Sequence, residues 1–270
     1  SLLYHDVIEG GNLDSSGFPG EAAARYKLDR ADFDRHMAAI AETNRFHAGT
    51  PASECADPHY LTIDDGGISA MTVADIVERY GWRACFFVTA AFVGTEGFLT
   101  DAQIRELDAR GHIIGSHSYS HPERMACCTW GQLADEWSRS VAILSDILKK
   151  PVESASVPGG YYSRDVAKAA AAAGIRRLFT SEPVMRVHRV DQCMVYGRYS
   201  FWRGMPARAA ANIVSGRNGA RFRQFFFWNA KKIAKALGGS AYIRFKRWWL
   251  ERGRPRPKMK PRTCPAKPCA

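Results

Sequence analysis

Short β-prone runs alternate with helical stretches along the first 200 residues, and no other feature constrains the fold as tightly. Candidate strands are residues 2–7, 60–65, 84–89, 112–116, 154–157, 177–180 and 194–200. Helical spacing fills the gaps at 32–43, 71–80, 101–110, 130–149 and 164–173. Strands joined through helices of this length lie parallel, because an antiparallel neighbour needs only a tight turn. The pattern therefore predicts βαβ units, either closed into a barrel or left as an open sheet. In both cases side chains that do chemistry gather where the strands end. Two long connections, 44–59 and 92–100, read as lids or walls of a site.

Composition narrows the class. With 46% hydrophobic and 24% charged residues, the 270-residue chain can bury a core, which excludes wholesale disorder. No apolar run approaches the ~18 residues of a membrane span, and the first residues lack a signal-peptide pattern. Seven scattered cysteines, without metal-type spacing apart from the adjacent Cys127 and Cys128, fit a reducing, cytosolic compartment.

The net charge of +11 is unevenly placed. Residues 217–270 hold sixteen of the 38 Lys and Arg but one of the 27 Asp and Glu, Glu251. That segment carries +15, and the body before it carries −4.

Two segments of the body carry the chemistry. Leu61-Thr62-Ile63-Asp64-Asp65-Gly66-Gly67 sets adjacent carboxylates at a strand end, before a glycine turn. By itself this also reads as an ordinary turn in which Asp caps the next helix. Gly115-Ser116-His117-Ser118-Tyr119-Ser120-His121-Pro122 follows another strand and places two histidines four residues apart. Two imidazoles and one carboxylate are the ligand inventory of a catalytic divalent-metal site with open positions.

Thr62-Ile63-Asp64-Asp65-Gly66 resembles the T-F-D-D-G motif of NodB-type polysaccharide deacetylases, and His117-Ser118-Tyr119-Ser120-His121-Pro122 resembles their H-[ST]-x-x-H-P motif. Order and spacing agree, over roughly residues 2–200. The resemblance implies an α/β fold, a distorted (β/α)7-type barrel. It implies Asp65, His117 and His121 as ligands of a divalent metal, and Asp64 as general base. Zinc suits that ligand set, with cobalt, manganese, nickel and iron as alternatives.

The sequence also departs from the family. The third motif, R-x-P-[FY], stands here as Ser156-Val157-Pro158-Gly159-Gly160-Tyr161-Tyr162, with Ser156 in place of the arginine that pairs the catalytic Asp. Tyr161 and Tyr162 read as substrate-binding residues of a sugar groove, or as packing. The hydrophobic-His-Asp motif that supplies the family's general acid is absent. His5, ending the first strand, is the candidate replacement, because barrel closure sets the first strand beside the last. Arg198, ending the last strand, is the candidate to orient Asp64 or to stabilise an oxyanion. His188, between Arg186 and Arg189, is a weaker acid candidate.

Three regions follow: a catalytic body over 1–216, a basic aromatic helical extension over 217–252, and a Pro-rich basic tail over 253–270 read as disordered. Beyond the barrel, helical spacing recurs at 206–214, 221–237 and 241–251. Aromatics beside cations in the extension suit an anionic membrane surface, the inner face for a cytosolic enzyme. They equally suit aromatics covering the body with cations facing water. Nucleic acid is set aside, since the acidic body gives it no evident role. The expected activity is metal-dependent hydrolysis of the N-acetyl group of an amino sugar in a polysaccharide or lipid-linked glycan. The alternatives are hydrolysis of another small amide or imide, and a non-catalytic glycan-binding protein.

Overall fold

The structure is a computed structural model and describes residues 1–43 and 60–230. In chain order the elements are β1 (Leu2–Tyr4), β2 (Val7–Ile8), α1 (Glu21–Ala24), β3 (Leu28–Asp29), α2 (Arg30–Ala41), β4 (Leu61–Ile63), α3 (Ala70–Glu78), β5 (Cys85–Val88), α4 (Asp101–Ala109), β6 (Ile113–Ser116), α5 (Trp130–Leu148), β7 (Ser154–Ser156), α6 (Arg164–Ala172), β8 (Arg177–Phe179), β9 (His188–Val190), β10 (Cys193–Tyr196), β11 (Tyr199–Ser200) and α7 (Ala207–Ser215).

Nine strands form one curled sheet in the order β11-β1-β4-β5-β6-β7-β8-β10-β9. Every pairing is parallel except β9 on β10. The chain itself links β10, next to the β9 edge, to β11 at the opposite edge, because only Gly197 and Arg198 separate the two strands. The result is the distorted (β/α) barrel that the motifs imply, and each expected strand contributes to it.

Two expected strands are each broken in two, and both breaks matter. Residues 194–200 form β10 and β11 on either side of Gly197–Arg198. There the Arg198 amide donates to Glu182 O at 2.9 Å, leaving the ladder. Gly197 lies so close to residues 182–184 that a Cβ would come within 2.4 Å of Val184 O. Residues 2–7 likewise form β1 and β2 around His5 and Asp6. The periodicity did not foresee the small parallel β2–β3 sheet, the edge strand β9 or the short helix α1.

Strand alternation sorts side chains between two compartments. Leu61, Ile63, Phe86 and Val88 point outward into a core shared with α2, α3, α4 and α7, and Leu178 and Val195 join a second core under α5 and α6. Cys85, Phe87 and Phe179 point inward with Tyr60, and Tyr196 stacks on Phe179 at 5.0 Å to fill the barrel. The helices begin as their capping chemistry dictates: Thr100 and Thr129 each form a capping box with the Gln three residues on. In α4 the cap is therefore Thr100, and Asp101 is the first helical position.

The chain divides into one unit over residues 1–226 and another over 227–270. Residues 220–226 of the first are helical, and so are the described residues of the second, 227–230. The expected lid at 44–59, the rest of the expected 221–237 helix, the 241–251 helix and the tail lie outside the described residues. No helix among the described residues is long and apolar enough to cross a membrane.

Candidate metal centre

The parallel registers bring the functional segments to one rim. Tyr4 lies opposite Ile63, so the Asp64 amide donates to Tyr4 O at 3.0 Å and His5 and Asp64 leave neighbouring strands together. Val88 lies opposite Ser116, and the His117 amide continues the ladder to Val88 O at 2.8 Å. Ser156 ends β7, and Arg198 follows β10.

Asp65, His117 and His121 converge, each offering a ligand atom within 4.8 Å of the others. His117 Nε2 lies 3.4 Å and His121 Nε2 3.7 Å from Asp65 Oδ1. Two ligand atoms each about 2.0–2.1 Å from a tetrahedral zinc stand roughly 3.4 Å apart, so the spacing suits a shared ion. His117 also has its tautomer set. Its Nδ1 meets the Ser156 main-chain oxygen at 3.2 Å and Ser156 Oγ at 2.5 Å. A carbonyl only accepts, so Nδ1 carries the proton and Nε2 keeps its lone pair for the ion. Burial, then the neighbouring His117, lowers the His121 pKa to about 4, which leaves that imidazole neutral at pH 7. The donor set therefore fits a divalent metal.

The backbone here is strained. Asp65, Ser118 and His121 take positive φ (81°, 63° and 59°), three of the six non-glycine residues described in that region. Such strain persists only where surroundings enforce it. The enforcement comes partly from Glu136 on α5. Its carboxylate accepts from the amides of Tyr119 and Ser120 at 3.0 and 2.8 Å, and from Ser120 Oγ at 2.5 Å. The His121 amide donates to Ser118 Oγ, and the Ser118 amide to Ser116 Oγ, each at 3.1 Å. The sequence reading missed Glu136, for no motif marks a residue that acts on the loop from the following helix.

Asp64 faces Arg198. Nη1 donates to Oδ1 at 2.7 Å and Nη2 to Oδ2 at 2.8 Å, and Ser156 Oγ donates to Oδ1 at 3.1 Å. Arg198 is wholly buried and is itself fixed: Nη1 also donates to Thr62 Oγ1 and Nε to the Thr180 carbonyl, both at 2.9 Å. Burial alone would raise the Asp64 pKa, but the guanidinium and His117 outweigh it and hold the carboxyl below its ordinary value. The residue expected either to orient Asp64 or to face an oxyanion thus holds Asp64.

His5 is close enough for its charge to act on both Asp64 and Asp65. Its ring packs on Tyr26 at 4.9 Å. Its Nδ1 is buried without a hydrogen-bond partner. Tyr161 lies under the Arg124 guanidinium at 5.8 Å, and Tyr162 Oη meets His188 Nε2 at 3.1 Å on β9. His188 is exposed, as its flanking arginines suggested.

Residues 53–178 match the family model described as polysaccharide deacetylase. Those residues form a polysaccharide deacetylase domain. The chain is similar to YxkH of Bacillus subtilis, at 23% identity over 82% of this chain and 73% of that protein. It is also similar to the chitin deacetylase of Colletotrichum lindemuthianum, at 37% identity over 28% of this chain. The match spans about a third, 32%, of that enzyme's length. Among solved structures, a polysaccharide deacetylase from Bacillus cereus superposes with a TM-score of 0.65 at 18% identity, covering 79% of this chain and 67% of that one. The deacetylase PplD of Streptococcus pyogenes, solved in complex with acetate, gives 0.62 at 17% identity over 77% and 93%. At these identities the structures establish a shared fold, the distorted barrel of polysaccharide deacetylases.

Proposed function

We propose that this deacetylase removes the acetyl group from an N-acetylated amino sugar of a polysaccharide or lipid-linked glycan in a metal-dependent hydrolysis. One observation carries the reading: an Asp-His-His ligand set stands beside an arginine-held aspartate in one buried site. Asp65, His117 and His121 would hold the ion, with zinc the best match to their donor types. A divalent metal bound there supplies Lewis-acid polarisation of the acetamide oxygen and makes water more acidic. Asp64 takes the proton of the attacking water, and Arg198 keeps that carboxylate ionised and aimed. His5, on the adjoining strand end, donates a proton to the departing nitrogen. The C–N bond breaks, and acetate and the free amine leave. The segment between β7 and α6 supplies Tyr161 and Tyr162 as the wall for a sugar ring, with Tyr162 braced by His188 of β9.

Acetate release from N-acetylglucosamine oligomers, with chelator and metal add-back, tests the reading. Metal bound without acetate release from any glycan would overturn it. A screen of small amides and imides, with a glycan-binding assay, then separates the two remaining possibilities.

We assign the catalytic role to residues 1–216 and a docking role to the basic extension, 217–252. Phe222 and Phe226 at 69% and 59% exposure, beside Arg221 and Arg223, support an anionic membrane surface as its target. Vesicles with and without phosphatidylglycerol test this. Equal binding by the full chain and a 217–270 deletion would reject it.

A further inference from the structure

A catalytic histidine is ordinarily aimed by a hydrogen bond to its second ring nitrogen. His5 has no such bond, since its Nδ1 is buried without a partner. Its described ring contact is the half-buried Tyr26, at 4.9 Å and 35°. We propose that Tyr26 is a positioning residue for His5, presented by a strap, residues 9–27, that is stapled to the strand end carrying His5.

The strap leaves β2 and returns to pair with it as β3. Both sides of Tyr26 are fixed. Arg25 O accepts from the Arg203 amide at 2.9 Å, and Lys27 O from Arg203 Nε at 3.0 Å. The Tyr26 amide donates to Ala23 O at 2.8 Å, and the Leu28 amide to Asp6 O at 3.1 Å. Lys27 is buried and turns its ammonium back into the strap, donating to Leu13 O at 2.7 Å and Ser16 O at 2.6 Å. A buried lysine satisfied this way orders a loop that has little core of its own.

The staple is Asp6, the residue after His5. Its Oδ1 accepts from Ser16 Oγ of the strap at 2.6 Å and from Ser69 Oγ, beyond the Asp64-Asp65 turn, at 2.9 Å. Strap and strand end meet so closely that a Cβ on Gly17 would fall 1.9 Å from Asp6 Oδ2, so only glycine fits. The Gly17 amide also donates to Gly97 O at 2.8 Å, as does the Ile68 amide at 2.9 Å, which locks strap, metal-side turn and the 92–100 loop together. Farther along the strap, Phe18 packs on the His121 ring at 4.7 Å and on Phe92 and Phe98. One segment thus meets a candidate metal ligand with one aromatic and the candidate acid with another. Its ring contact, not a hydrogen bond, sets the direction of His5.

This inference rests on the reading of His5 as the acid, and the test separates the two. Acetate release by the metal-loaded full chain is compared for wild type, Tyr26→Ala, Tyr26→Phe, His5→Ala and the double variant Tyr26→Ala/His5→Ala, with metal content measured on each. Tyr26→Ala should lower kcat roughly ten- to hundredfold with KM within about twofold, as for a misplaced acid. Tyr26→Phe should stay within about twofold of wild type, because the ring face and not the hydroxyl makes the contact. In the His5→Ala background, Tyr26→Ala should cost nothing further. An equal loss in that background, a loss in KM alone, or equal damage from Tyr26→Phe would overturn the role of Tyr26. Wild-type turnover in His5→Ala would instead remove the acid assignment, and the proposal with it. A readout free of turnover is the NMR order of the His5 ring: Tyr26→Ala should lower it and Tyr26→Phe should not, and an unchanged ring in Tyr26→Ala would overturn the proposal.

Discussion

The Arg198 guanidinium grips both carboxylate oxygens of Asp64, at 2.7 and 2.8 Å, from a break in the last barrel strand. The family's third motif would place an arginine on the strand of Ser156 for this purpose. Here Ser156 is too short to reach as a cation, and its hydroxyl instead bridges His117 Nδ1 and Asp64 Oδ1. Charge neutralisation of Asp64 has moved around the ring, and the vacated position serves the tautomer of a candidate metal ligand.

Removing Arg198 should therefore raise the Asp64 pKa. Burial pushes that carboxyl up, and the guanidinium is the main force holding it down. In Arg198→Met the acid limb of the kcat/KM profile should move to higher pH, since the base is ionised only above its new pKa. Stability should fall by about 3–5 kcal/mol at neutral pH, the cost of breaking a buried pair. The sign with pH follows. In wild type the depressed Asp64 pKa stabilises the fold above the unfolded value of about 3.9, and this is lost as pH falls. In the variant the buried carboxyl prefers its proton, so the stability gap should narrow on acidification. Denaturant melts across pH and a pH–rate profile check both. Arg198→Lys should not rescue, because one ammonium cannot reproduce the two-oxygen grip.

Glu136 should control metal affinity without touching the metal. It holds two amides and a hydroxyl of the turn between His117 and His121, where Ser118 and His121 sit at positive φ. Glu136→Ala frees that turn to relax, and affinity should fall roughly 10–100-fold, as for the loss of other groups that orient ligands. Competition with a chromophoric chelator measures it. An unchanged dissociation constant would show that the turn holds itself.

Direct loss of a ligand should be more severe. Asp65→Asn, His117→Ala and His121→Ala should each abolish both stoichiometric metal and acetate release, with the barrel intact by circular dichroism. Chelation of wild type should reproduce the loss, and zinc should reverse it. Full activity after exhaustive chelation would contradict the proposed chemistry.

The barrel was legible in the chain because its strands are short β-prone runs, buried along nearly their whole length, and its helices keep their own spacing, from Leu61–Ile63 against α3 to Leu178 under α6. Asp64, Asp65, His117 and His121 were legible because they sit in two contiguous motifs at strand ends. Arg198 could be suspected because it ends the last expected strand, on the rim where Asp64 ends another. Closure drew attention to His5 on the strand between them. Glu136, Thr62 and Tyr26 were out of reach for a common reason. Each acts across a tertiary contact on a residue distant in sequence, and neither periodicity nor local motif spacing encodes which helix face or strap will meet the site. The breaks at His5–Asp6 and Gly197–Arg198 were hidden too, since both interrupt runs whose composition suits a continuous strand.

The relocated arginine gives the sharpest test of this site. Ser156→Arg restores the family's residue, yet it should damage the protein: position 156 is wholly buried, and the new guanidinium would enter a site already holding Arg198. Like charges in such a space repel, and the hydroxyl that His117 and Asp64 share would be lost. With Arg198 removed as well, the new cation has both a partner and room. Ser156→Arg/Arg198→Met should then exceed Arg198→Met in kcat/KM by about tenfold, roughly 1.4 kcal/mol, and the coupling between the two positions is that gain plus the cost of Ser156→Arg alone. The comparison needs only the four proteins of a double-variant cycle and one acetate assay. If the double variant is no better than Arg198→Met, the two positions are not equivalent supports for Asp64, and the Thr62 and Thr180 contacts of Arg198 carry a role that the β7 position cannot supply.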